Sequence, residues 1–181
     1  MKKVQDLVQT SMFIALVFLA TSSVRVPVVP GAGLIHTGTV ILFIVACAFG
    51  PLKGALAGSL GMALFNLTTE WAVWAPYTFV IRFVMGLIIG SIAYSQGRKG
   101  RSWKMNLLAL FISALWFLPT TYIAQMMIQG IEFGDWRIPL LALPGNLAQL
   151  ALALVIGLPA IPRIAKLRDT VLYKKSRRSF Q

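Results

Sequence analysis

A chain of 181 residues with 57% hydrophobic and only 12% charged residues, and a mean hydropathy of +0.77, excludes an ordinary soluble domain, which carries about 25% charged residues. The net charge of +12 does not indicate nucleic acid, because the basic residues flank apolar runs and are not interleaved with exposed aromatics; anchoring beside anionic membrane lipid accounts for them. The single cysteine, Cys47, lies inside an apolar run as a small core residue, so there is no disulfide framework.

The first apolar run, about Leu7–Val24, follows Lys2 and Lys3. It reads as a membrane span and not as a signal peptide, because Thr21-Ser22-Ser23 is followed by Val24-Arg25, a poor cleavage site. A loop over Arg25–Thr37 comes next, rich in Pro27, Pro30, Gly31 and Gly33 and carrying the only histidine, His36. Two roles stand for it: a solvated loop, or a lid over a pocket with His36 as a ligand. The apolar stretch Leu34–Thr69 is too long for one span of about 20 residues. Gly50-Pro51, with Lys53 close behind, breaks it into spans of about Leu34–Gly50 and Leu52–Leu67 joined by a tight hairpin. Further spans follow at about Trp74–Ser95, Met105–Ile128 and Pro139–Ile161, and a basic tail covers 163–181.

Charge sets the orientation. With six spans and a cytoplasmic N-terminus, the inside receives Lys2, Lys3, Lys53, Arg98, Lys99, Arg101, Lys104 and the tail, and the outside receives Arg25 and Arg137 with Glu70, Glu132 and Asp135. Five spans would place the Arg98–Lys104 cluster outside, and a re-entrant hairpin would leave Lys53 at mid-depth, at a cost of about 2.5–3.5 kcal/mol. The expected fold is an all-α integral membrane bundle of six helices, a single membrane domain over 1–181 with both termini cytoplasmic, in the cell membrane.

That topology gives each buried polar residue a depth. Arg82 in the fourth span, Thr120, Thr121, Tyr122, Gln125 and Gln129 in the fifth, and Asn146 and Gln149 in the sixth all fall in the outer half, whereas the inner halves are almost wholly apolar. Polar groups at such depth face partners or water, and their convergence points to an outward-facing solute pocket. Gln125 and Gln129 stand four apart and form one stripe with Tyr122; Asn146 and Gln149 stand three apart. Trp71, Trp74, Tyr77 and Trp116 crowd the same level, as ligands or as an interfacial belt. Thr120 and Thr121 follow Pro119 and serve the pocket or repair the backbone that proline frees. Arg82 is either a ligand contact or gate, or a structural arginine bonded to loop carbonyls or Glu70. Gly54, Gly58, Gly61, Gly86 and Gly90 sit at helical spacing and allow close helix approach, and Ser11 with Ala15 forms a small-xxx-small pair on the first span.

No Walker motif, no HExxH and no His/Cys cluster occurs, and no acid lies within a span. The pattern is a pocket without an energy source: no enzyme, no cofactor, no metal, no ATPase of its own. A self-sufficient facilitator or channel is the other reading.

The stretch Ile35-His36-Thr37-Gly38, followed by Phe49-Gly50-Pro51, Gly54, Gly58 and Gly61, resembles the substrate-capture subunits (S components) of energy-coupling factor (ECF) vitamin transporters, of the riboflavin, vitamin B6 and hydroxymethylpyrimidine type, and the likeness extends over the whole chain. Where such families often place an aspartate after the glycine run, this chain has Asn66. The resemblance implies an outward-opening pocket built from the fourth to sixth helices and outer loops, a water-soluble vitamin or precursor as ligand, and Ser11 and Ala15 in place of the family's Ala-xxx-Ala docking motif. It also implies a transmembrane coupling subunit and two cytoplasmic ATPases as partners.

Overall fold

The first apolar run folds as one helix, α1 (Lys2–Ser23), whose Val4, Leu7, Val8, Met12, Leu16 and Leu19 point outward while Val17 and Thr21 are buried. Apolar side chains on the outside are what a lipid-facing helix presents, and a helix is the form in which a single segment satisfies its backbone without water. The computed structural model describes residues 2–27, 33–130 and 137–178, apart from the side chains of residues 2, 138 and 171–178. Glu132, Asp135 and the middle of the expected lid (28–32) lie outside the described residues.

After α1 the chain forms a short antiparallel hairpin, β1 (Arg25–Pro27) with β2 (Leu34–His36), in which Arg25 faces His36 and Pro27 faces Leu34. This corrects the expected second span: α2 begins only at Gly38 and runs 12 residues to Phe49. A short apolar strand and the first turn of an apolar helix have the same hydropathy. Here β1 supplies backbone partners, and Gln149 Nε2 donates to the Leu34 carbonyl at 2.8 Å. The tight hairpin at Gly50 is present. Gly50 takes φ 105°, a left-handed value that favours glycine, and Pro51 opens α3 (Pro51–Leu67) at its first turn, where its missing N–H leaves nothing unpaired.

A 3₁₀ turn (Ala72–Trp74) leads into α4 (Ala75–Tyr94). Helix α5 (Trp103–Gln125) carries Pro119 inside it and runs on into a π-turn at Met126–Gly130. The last leg is α6 (Ile138–Leu141), α7 (Leu143–Leu152), a π-turn (Ala153–Gly157) and α8 (Leu158–Arg178). The expected single sixth span is thus interrupted, and the first part of the expected tail is helix continuous with it.

Among the described residues, four helical stretches are long and apolar enough to cross a membrane: Lys3–Ser23, Ala72–Gly97, Trp103–Gln129 and Pro139–Thr170. By contrast α2 spans only about 18 Å at 1.5 Å per residue, short of the roughly 30 Å hydrocarbon core. The architecture is an all-α, multi-pass membrane bundle with one small hairpin added. Its centre is packed by backbone approach. A Cβ on Gly54 would fall 2.4 Å from Ala46 Cα, and one on Gly86 would fall 2.6 Å from Ala55 Cα, so α2, α3 and α4 meet without intervening side chains. Phe43, Phe117, Met85, Ile89 and Ile161 fill the core around that contact.

The legs alternate in direction. Lys53, early in α3, pairs with Asp6, early in α1, at 2.8 Å. Arg101, just before α5, pairs with Asp169 in α8 at 2.5 Å. These basic residues gather at one end of the bundle. At that end Arg168 also bonds the Ala48 carbonyl, Tyr94 Oη (2.9 Å) and the Lys99 carbonyl (3.4 Å).

Candidate functional site

The opposite end holds the polar residues. The finish of α1, β2, the finish of α3, the start of α4, the finish of α5 and the start of α7 converge there on one cavity of about 90 Å³. One water needs about 10–15 Å³ on that measure, so this space has room for several waters and is more than a single-water gap. Its wall carries the aromatic residues Phe65, Trp71 and Trp74, the hydrogen-bonding residues Asn66, Thr78, Gln125, Asn146 and Thr121, and Arg82 and His36.

Of the residues singled out from sequence, Asn146, Gln125, Arg82, Trp74 and His36 line this cavity. Asn146 Nδ2 donates to Thr121 Oγ1 at 3.3 Å. Gln125 Nε2 donates to Gln129 Oε1, so the two glutamines of the α5 stripe form a pair in which only Gln125 borders the cavity. His36 is not a solvated loop residue. It is 8% exposed, held by β2, and its Nδ1 has no hydrogen-bond partner among the described residues.

Arg82 has neither of the partners expected of a structural arginine. One terminal nitrogen donates to Thr39 Oγ1 (3.0 Å) and Met85 Sδ (3.6 Å), the other to Gln149 Oε1 (2.8 Å), and the guanidinium lies 4.2 Å from the centre of the Phe117 ring. Glu70 instead accepts from Trp71 Nε1 at 3.1 Å. Gln149 stands behind the wall: its Oε1 also accepts from Thr39 Oγ1 (2.8 Å) and its Nε2 donates to Leu34, which ties α2, α4, α7 and the hairpin together.

Thr121 and Trp71 also line the cavity, whereas Trp116, Thr120, Tyr122 and Gln129 are not part of its lining. Trp116 Nε1 donates to the Ile81 carbonyl at 3.1 Å, and Trp116 and Thr120 line an apolar groove between α4 and α5. Thr120 and Thr121 bond carbonyls of the preceding turn, Trp116 and Phe117 among them, the back-bond that hydroxyl side chains make along a helix. Tyr122 and Gln129 are half-buried. Ser11 and Ala15 lie far along α1 from the cavity, exposed on its outer face.

The ECF-type riboflavin transporter S component family model matches residues 1–166. The chain belongs to that family. A Pyrococcus woesei protein, described as an uncharacterized protein in gap 3'region, is 30% identical over 107 residues, which cover 59% of this chain and 72% of that protein. As an S component the chain is a membrane-embedded, substrate-binding subunit of a transporter and not an enzyme.

For this S component the sequence reading missed the wall supplied by α1 and α3. Asn66 Nδ2 donates to Thr78 Oγ1 at 2.8 Å, bridging α3 to α4 across the cavity rim, and Thr21 and Met62 complete the same side. A signal was available: beyond Lys53, Asn66 is the one large polar side chain in a helix of apolar and small residues.

Proposed function

We propose that the chain captures a small water-soluble vitamin or precursor in this cavity, with pyridoxine, hydroxymethylpyrimidine and riboflavin as the first candidates, and delivers it inward when docked to an ATP-driven ECF module. The module comprises a transmembrane coupling subunit and two cytoplasmic ATPases. In this reading the chain crosses the membrane six times with both termini cytoplasmic, the cavity opens outward, and Asn146, Gln125, Arg82, His36 and Trp74 contact the solute. The observation that carries it is the segregation of the bundle into two ends, one basic and one bearing an aromatic- and amide-lined cavity. Positive residues stay inside, which supports an outward-facing cavity. Family membership supports the capture role, and the exposed, small-residue face of α1 at Ser11 and Ala15 suits close approach by a coupling helix.

The test is uptake into liposomes. The purified chain alone should bind solute without transporting it, and uptake should require the coupling subunit, the ATPases and ATP. Equilibration of solute by the chain alone would establish a facilitator instead.

A further inference from the structure

Among the described residues Arg82 is a buried cation without an anion. It is 5% exposed, and every acceptor it meets is neutral: Thr39, Gln149 and Met85. Three of its five N–H donors are thereby engaged among the described residues. Of the chain's five acids, Asp6 is held by Lys53, Asp169 by Arg101 and Arg168, and Glu70 is hydrogen-bonded to Trp71 at an exposed position; Glu132 and Asp135 lie outside the described residues. Taking a charge out of water is costly, and neutral hydrogen bonds and one aromatic face offset that cost only in part. A second cation is absent from the described cavity wall, so the site balances one anionic group and no more.

We propose that the solute this S component takes carries one oxyanion, a carboxylate or a phosphate, which pairs with Arg82 while its ring or chain lies against Trp71, Trp74 and the amides of Asn66, Gln125 and Asn146. This rests on the capture reading and moves its solute from the neutral vitamins named first to anionic vitamins or their phosphorylated forms. Arginine suits the task because its planar fork matches an oxyanion with two parallel hydrogen bonds. The remaining amides are neutral and would leave a second anionic group unpaired.

Because Arg82 also ties α2, α4 and α7 together, replacing it endangers the fold, so the test uses the unmodified full chain in detergent. Binding is measured by calorimetry for four pairs that differ in charge: nicotinate and nicotinamide, pantothenate and panthenol, pyridoxal 5'-phosphate and pyridoxal, flavin mononucleotide and riboflavin. The first two report carboxylate and the last two phosphate. In at least one pair the anion should bind tenfold or more tightly than its neutral partner. The preference should persist at about 1 M salt, where the screening length falls to about 3 Å and exposed charges no longer attract. A preference that disappears in salt would assign it to the basic surface and overturn the proposal. Neutral members binding as well as the anions would also overturn it while leaving capture intact. A rise in anion affinity in the double variant Glu132→Gln, Asp135→Asn would identify those acids as the native counterions and likewise overturn it. Binding by no member of any pair would bring down the capture reading and this inference together.

Discussion

Two polar side chains that look alike in the sequence, Gln125 and Gln149, occupy different places. Gln125 borders the cavity and has one side-chain partner, Gln129, whereas Gln149 satisfies Arg82, Thr39 and the Leu34 carbonyl at once. Truncating them should therefore separate affinity from stability. Gln125→Ala, and likewise Asn146→Ala, is expected to weaken solute binding by about 0.5–1.5 kcal/mol, the net value of one hydrogen bond, with little change in melting temperature. Gln149→Ala strands three buried groups and should cost about 1–3 kcal/mol or more of stability. Calorimetric binding beside thermal unfolding checks both, and equal melting temperatures for all three variants would contradict the assignment. The depth of these residues was legible in the sequence, since hydropathy and charge place them at one level. Which of them turns into the cavity was not, because that depends on helix rotation, and a helix apolar all round carries no moment from which rotation can be read. His36 illustrates the same limit: it is buried in the cavity wall beside segments distant in sequence, an arrangement that hydropathy does not encode.

At the scale of the elements, the glycine spacing was the most legible feature, and the structure gives it a function in packing. Gly54 lies on Ala46 and Gly86 on Ala55 with backbone in direct approach. Gly86→Val is expected to lower the yield of folded protein and its melting temperature, because the new Cβ would meet Ala55 backbone at 2.6 Å and overpacking of this kind costs about 1–3 kcal/mol or more. The same substitution at Gly97, where nothing lies within 4 Å, controls for the loss of glycine itself, although its φ of 72° adds some backbone strain. Size-exclusion profiles and thermal unfolding compare the two; equal damage would remove close approach as the cause. The interruptions of the last leg were less legible. Pro139 and Pro144 open α6 and α7 within their first turns, but a π-turn at Ala153–Gly157 leaves no residue signature that composition exposes.

Across the whole molecule, the ends differ in kind. One is fastened by ion pairs, the other is hollow, and α1 runs along the outside between them with most of its apolar side chains exposed. Ala15→Trp tests whether that face is a docking surface. Ala15 is exposed and remote from the cavity, so solute binding by the isolated chain should be unchanged. Co-purification with the coupling subunit and ATP-driven uptake should both be lost, because close helix approach in lipid needs small side chains. Retained uptake would place docking elsewhere. The joint between α2 and α3 bears on how such a body moves. Gly50 alone connects them, Gly54 rests on the Ala46 backbone of α2, and Gly58 on the Leu42 side chain. A joint one residue long leaves little length over which α2 could slide along α3, and the close packing of Gly54 on Ala46 holds the two helices together. In mechanical terms α2 is a brace bonded to a rod, and a push on α3 at its basic end reaches the Thr39–Arg82–Gln149 linkage as a displacement of the whole hairpin.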